Sequence, residues 1–195
     1  MKNINVLLFD DFTTLDALGP AEVFGRMEDC FHIGYFSISG GEISGSANVR
    51  INTKPIKEIK QHDILLVPGG FGTRTLVNNS DFVEYLKCLA EKSGKVLCVC
   101  TGSALLAKTG LLDGINATSN KMAWNWVIQQ SAEVHWVRTA RWVVDGKFYT
   151  SSGISAGIDM ALGFIEDHFN RDAAIQAGRG LEYVWNSESD WDPFA

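Results

Sequence analysis

Three short runs of the chain are almost continuously apolar: NVLLF (5–9), DILLVP (63–68) and KVLCV (95–99). Runs that lack the alternation of a half-exposed strand predict parallel strands covered on both faces. Between the last two, SDFVEYLKCLAEKSG sets Phe82, Val83, Leu86, Leu89 and Ala90 at helical spacing, with Ser80 placed as N-cap and Gly94 as the glycine just past the end. A strand–helix–strand unit of this kind implies a right-handed crossover in a parallel sheet. FHIGYFSISG (31–40) alternates and closes on Gly-Gly, which predicts another strand, and EISGSANVRIN (42–52) reads as a small excursion with turns. RWVVDGKFYTSS splits at Asp145-Gly146, the pair a type I′ hairpin turn prefers. SAGIDMALGFIEDHF (155–169) and DAAIQAGRGLEYVW (172–185) read as helices. The pattern predicts one α/β domain over residues 1–195, a three-layer sandwich with a central, mostly parallel sheet.

Composition narrows the partners. With 46% hydrophobic residues in 195, the chain can bury a core without disulfide staples. A formal charge of −6 opposes nucleic acid or an anionic membrane as an electrostatic partner, and no apolar run approaches the length that spans a bilayer. MKNINVLLFDDF has too short an apolar run for a secretory leader, so a cytoplasmic protein with free thiols is expected. The cysteines are Cys30, Cys88, Cys98 and Cys100, and the four histidines are scattered, so neither a zinc site nor another metal or cofactor is expected.

Cys100 stands where the third apolar run stops and the pattern turns helical, in VLCVCTGSALL (96–106). In an open α/β sheet, ligands bind outside the carboxyl ends of the strands. A sharp strand-to-helix turn there would lift the sulfur above the sheet edge as a nucleophile elbow. Gly102 would permit close packing at the turn, while Thr101 and Ser103 suit a helix start. Helix-end stabilisation of ~0.3–1 kcal/mol, up to ~2 when partly buried, would lower the pKa of a thiol by about one unit. Such a shift matters because the thiolate is the nucleophile.

Two other strand ends carry candidates. FDDFTTLDALGPAEVFGRM (9–27) has Asp16 in what reads as a loop, with Gly19-Pro20 before a helix in whose first turn Pro20 sits. Asp16 is either a plain cap or a partner of Cys100; as a partner it works best if the two share one proton, as carboxylic acid and thiolate. LLVPGGFGTRTL (65–76) places Gly69 and Gly70 after a buried strand, as a turn or as amides forming an anion-holding nest. Trp124, Trp126, Trp136 and Trp142 are read as core or interface residues rather than pocket walls.

These residues resemble the PfpI/ThiJ superfamily, which includes the Parkinsonism-associated protein deglycase. The resemblance covers LLFDDFTTLDALGPAEVF, ILLVPGG, VCTGSALLAKTGLLDG and RWVVDGKFYTSSGISAGIDMAL. The Leu-Asp-x-x-Gly-Pro and Val-Cys-Thr-Gly-Ser motifs look most like the isocyanide hydratase branch. They are also similar to the amidotransferase-like domains of AraC-type regulators, whose DNA-binding module is not expected here, since the chain stops at Ala195. The resemblance implies a flavodoxin-like fold, a homodimer, Cys100 as nucleophile, Asp16 as acidic partner, Thr101 as the residue following the nucleophile and Gly70 lining the oxyanion pocket. Two departures stand out. Thr101 replaces the histidine of the protease-like branch, and Ser119-Asn120-Lys121 stands where the hydratase branch has Thr-His-Trp.

The expectation is therefore a cysteine-dependent hydratase of a small electrophile such as an isocyanide. A protease- or amidase-like or glyoxalase-type enzyme of the same superfamily is the alternative. The reading from a different class is a redox or small-molecule sensor built on an oxidisable Cys100.

Overall fold

The computed structural model describes residues 1–195. The strands are β1 (Lys2–Leu7), β2 (Phe31–Ser37), β3 (Gly41–Ser44), β4 (Arg50–Pro55), β5 (Ile64–Val67), β6 (Lys95–Val99), β7 (Asn116–Ala117), β8 (His135–Trp136), β9 (Trp142–Asp145) and β10 (Phe148–Ser151). The helices are α1 (Thr14–Gly25), α2 (Thr73–Leu76), α3 (Ser80–Lys92), α4 (Gly102–Lys108), α5 (Trp124–Val127), α6 (Ala156–His168) and α7 (Arg171–Gly180). The main sheet has eight strands in the order β3-β4-β2-β1-β5-β6-β10-β9. Its central pairings are parallel, and only the outermost pairs, β3 with β4 and β9 with β10, are antiparallel. All four residues of β5 and the last four of β1 and β6 are buried, as continuous apolar runs require of strands roofed on both faces. α1, α6 and α7 pack together on one side, and α3, α4 and α2 on the other. The core of Phe12, Phe24, Leu66, Leu97, Leu105 and Phe164 runs through the sheet between these layers. No helix is long and apolar enough to cross a membrane.

The order β2-β1-β5-β6-β10 is the flavodoxin-like one, in which the chain reverses direction across the sheet between β1 and β5. The loops after β1 and β5, and the one after β6, therefore meet above one edge.

Several boundaries differ from the sequence pattern, each for a local reason. α1 begins at Thr14, so Asp16 lies in its first turn and Pro20 inside it. The prolyl nitrogen removes the bond that would reach the Asp16 carbonyl, a loss confined to one turn. The N-cap of α3 is Asn79, whose side chain accepts the Phe82 amide at 3.0 Å. Its C-terminus closes through Ser93 Oγ, which donates to the Leu89 carbonyl at 2.8 Å, and Gly94 is not left-handed. The β9–β10 turn has Gly146 first among its two central residues, at φ 59, with Lys147 outside the left-handed region. That is a type II′ pattern rather than type I′. α7 stops at Gly180, and Tyr183, Trp185 and Asn186 fold back onto Asp159 of α6.

The excursion at 42–52 is the β3–β4 hairpin, and it has a use. Ser44 donates its amide to the Asp10 carboxylate at 3.0 Å and accepts the Asp11 amide at 2.8 Å. Ser46 Oγ accepts the Thr14 amide at 2.9 Å. The hairpin thus pins the β1 loop that leads into Asp16.

Candidate active site

Cys100 is the first residue past β6, at φ 57, in the left-handed region that a non-glycine residue occupies only under constraint. The constraint is visible. The Cys100 amide donates to the Ser151 and Ser152 carbonyls, both at 3.2 Å. Its carbonyl accepts Ser119 Oγ at 2.8 Å and Ser103 Oγ at 3.0 Å. Four contacts from three segments hold the elbow. Gly102 lets the α4 start press against β5, where a Cβ would strike the Val67 carbonyl.

Asp16 reaches this elbow from α1. It is fully buried; Oδ2 accepts the Gly69 amide at 3.0 Å, and the carboxyl interacts with the Cys100 thiol. Oδ1 has no nitrogen or oxygen partner, and no cation pairs with the group. Burial is the larger influence and pushes the Asp16 pKa up to about 7, opposed by the Gly69 amide and the thiol. Burial also pushes the Cys100 thiol up, and the Asp16 charge adds to that. The expected lowering by the helix end is therefore overturned: the Thr101 amide and the Asn120 side chain favour the thiolate, but burial and Asp16 outweigh them. Above about pH 7 the pair holds one proton, and the thiolate is reached by its transfer to Asp16.

The Gly69 and Gly70 amides do not form a free nest. Gly69 N–H is spent on Asp16, and Gly70 N–H donates to Thr101 Oγ1 at 3.0 Å. Both positions still need glycine. A Cβ on Gly69 would lie 2.5 Å from the Thr101 nitrogen, and Gly70 stands at φ 132 beside the Asp11 carbonyl. Thr101 does not cap α4; its hydroxyl bridges Gly70 and Thr73 Oγ1, the latter at 3.1 Å. The hydrogen bonds that favour the sulfur anion come from the Thr101 amide and Asn120.

Asn120 lies in the Ser119-Asn120-Lys121 stretch that departs from the hydratase branch; the sequence flags the stretch but assigns Asn120 no role. Its Oδ1 accepts the Ala123 amide at 2.8 Å, which turns the side-chain nitrogen toward Cys100. Lys121 points away. It donates to Thr118 Oγ1 at 2.7 Å and the Ala140 carbonyl at 2.8 Å. Burial brings its pKa down to about 8.

A cavity of about 270 Å³ opens onto Cys100, with Thr13, Gly70, Arg74, Thr101, Asn120 and Ile154 on its walls. No histidine lines it. Trp124 and Trp142 are buried as expected, whereas Trp126 lies under the Arg74 guanidinium, 3.5 Å from the ring centroid to Arg74 Cζ. No group of three or more His, Cys, Asp or Glu side chains is arranged to hold a metal ion.

A parallel sheet with a strained cysteine at its carboxyl edge and a buried acid beside it defines a class: the chain belongs to the DJ-1/PfpI family, whose sequence profile matches residues 2–167. An isonitrile hydratase of Pseudomonas putida is 30% identical, over 93% of this chain and 78% of its own length. The HTH-type transcriptional regulator CdhR of Pseudomonas aeruginosa is 29% identical over 87% of this chain, which spans only 52% of that regulator. In three dimensions a THiJ/PfpI family protein from Pseudomonas syringae superposes with a TM-score of 0.82 at 25% identity, covering 98% of this chain and 76% of its own. Drosophila melanogaster DJ-1beta superposes at 0.81 with 21% identity, over 94% of this chain and 99% of its own, a likeness of fold alone.

Proposed function

We propose that this protein hydrates a small linear electrophile of the isocyanide type, with Cys100 as nucleophile and Asp16 as proton carrier. The observation that carries the reading is the Asp16 carboxyl, buried without a cation and close enough to the Cys100 thiol for each to shift the other, with Cys100 on the wall of an open cavity. A carboxyl with a pKa near 7 both gives and takes a proton at neutral pH.

The thiol proton passes to Asp16 and the sulfur attacks the terminal carbon of the isocyanide. Asp16 returns the proton to that carbon, giving a thioimidate. Water then adds to the same carbon: the Asp16 carboxylate takes one of its protons and passes it to the nitrogen, which becomes N–H, and the other proton stays on the new hydroxyl until collapse delivers it to sulfur. The C–S bond breaks as the carbonyl forms, and an N-substituted formamide leaves while Cys100 regains its proton. The Thr101 amide and Asn120 stabilise the sulfur anion during attack and departure.

The relative from Pseudomonas putida supports the reading. The absence of histidine from the cavity weighs against peptide cleavage, where an amine leaving group needs an acid of its own. A peroxide sensor needs a thiolate at rest, which burial and the Asp16 charge oppose here.

The test follows the loss of an aryl isocyanide's absorbance with wild-type protein beside Cys100→Ala. Turnover by the wild type that disappears in the variant is expected. No turnover by a folded wild type would overturn the hydratase reading and bring glyoxals forward as substrates.

A further inference from the structure

The Cys100 cavity has one charged side chain on its wall, Arg74. It comes from the short helix α2, directly after the Pro68-Gly69-Gly70 turn. None of the six ion pairs in the molecule involves it, and its Nη1 is buried without a partner. The chain has 23 acidic residues against 17 basic ones, so an unpaired guanidinium is not for want of carboxylates. Trp126 lies beneath it, with Cζ 3.5 Å from the ring centroid, a cation–π contact that holds the guanidinium over the indole. Burial and the Cys100 charge both act on Arg74, in opposite directions, so cation and sulfur share one electrostatic environment. A guanidinium on the cavity wall, with a donor that no protein group takes, can meet the two oxygens of a carboxylate.

We propose that Arg74 is a carboxylate receptor, and that the substrate is a small electrophile bearing a carboxylate, its reactive carbon at Cys100 and its carboxylate on the Arg74 fork. A cavity of about 270 Å³ suits such a molecule, being below the ~300–1,000 Å³ typical of drug-sized ligands. The inference rests on Cys100 as the reacting group, and does not depend on isocyanides being the electrophile.

Two measurements test it. In Cys100→Ala, which binds without reacting, calorimetry compares isocyanoacetate with its neutral methyl ester. The acid is expected to bind at least about tenfold tighter, a preference that falls to near one when Arg74→Gln is added and is partly restored by Arg74→Lys. In the protein with Cys100 intact, alkylation by iodoacetate and by iodoacetamide gives a rate ratio that should fall severalfold in Arg74→Gln, with folding checked by circular dichroism. Equal affinity for acid and ester, or binding of neither, overturns the proposal. So does equal slowing of both alkylating agents, which would make Arg74 a stabiliser of the thiolate only. A carboxylate preference in a protein that turns over no isocyanide supports the Arg74 assignment and overturns the hydratase reading alone.

Discussion

Asp16 and Asp159 are equally hidden, neither with measurable solvent exposure, yet their surroundings differ in almost every contact. Asp159 is met by a cation: Arg141 Nε donates to Oδ2 at 2.7 Å and Nη2 contacts the same oxygen at 2.5 Å. Its Oδ1 accepts the Asn186 amide at 3.0 Å and the Tyr183 hydroxyl at 3.1 Å. Asp16 has one amide, the nearby Cys100 thiol as its charge neighbour, and an oxygen with no hydrogen-bond partner. Burial raises both carboxyls, but at Asp159 the guanidinium and the other donors pull back toward the charged form. One carboxylate is saturated and holds the 183–186 segment against α6. The other is left wanting a proton, which is the condition for moving one. Burial without a counter-charge is what separates Asp16, the proposed proton carrier, from a structural carboxylate such as Asp159.

The comparison breaks most completely at Asp16. Asp16→Asn keeps the volume and removes the proposed proton carrier, and hydration of an aryl isocyanide should then fall ~10²–10⁴-fold. The fold should gain. An aspartate in the unfolded chain ionises near 3.8 and in the folded one near 7, so the native state holds the proton more tightly. Stability from this group is therefore present below about pH 4 and lost as pH rises through about 7. Asparagine escapes that loss, and urea unfolding at about pH 8 should show the variant more stable by roughly 1–4 kcal/mol, an advantage that shrinks toward about pH 4. A variant that is both slower and less stable at that alkaline pH would place Asp16 among structural carboxylates such as Asp159.

Arg141→Met strips the cation from the saturated site. It leaves Asp159 buried with an uncompensated charge and removes one of the two cations that face Asp192, whose Oδ1 lies 4.0 Å from Arg141 Nη1. The expected cost is ~3–5 kcal/mol, about 10 °C or more in melting temperature for a chain of this size. Differential scanning calorimetry reads it directly. Unlike Asp16→Asn, this variant should keep the wild-type pH dependence of Cys100 alkylation below its melting temperature, because Asp159 has no contact with the thiol.

How much of this is legible in the sequence follows from the range of the forces involved. The β6 run KVLCV matches its strand residue for residue, because a run buried on both faces has one way to be written. The elbow after it is legible for the same reason. Asp16 is legible as a candidate only through its place in a motif, and its loop assignment does not hold: the three aspartates and Gly19-Pro20 read as a break, whereas α1 runs from Thr14 through Asp16 and Pro20. The opposing charge of Asp16 is readable once it is paired with Cys100, but the direction of the Cys100 shift escapes the sequence because its largest cause, desolvation by the surrounding core, is not local. Gly69 and Gly70 are placed at the right strand end, but their amides are taken by acceptors 53 and 31 residues away. Arg74 and Asn120 sit in stretches that carry no periodic signal, and their roles rest on Trp126 and Ala123 holding them in place.

The finest test of the contrast between the two carboxyls is the pH profile of Cys100 itself. Below about 7 the Asp16–Cys100 pair is fully protonated, and the reactive form appears only when it loses one proton. Alkylation by iodoacetamide, and hydration with it, should rise about tenfold per unit as pH increases toward about 7 and level off above it, with no second rise before strongly alkaline pH. That midpoint should be unchanged in Arg141→Met and disappear in Asp16→Asn. Removing the carboxylate takes away both the base that receives the thiol proton and the charge that opposes the thiolate, so the Asp16→Asn variant should react slowly at neutral pH and gain only at higher pH. A wild-type midpoint near ~8.5, where an unperturbed thiol titrates, would mean the carboxyl and the sulfur ionise independently, and Asp16 would then serve only to hold the Gly69 turn.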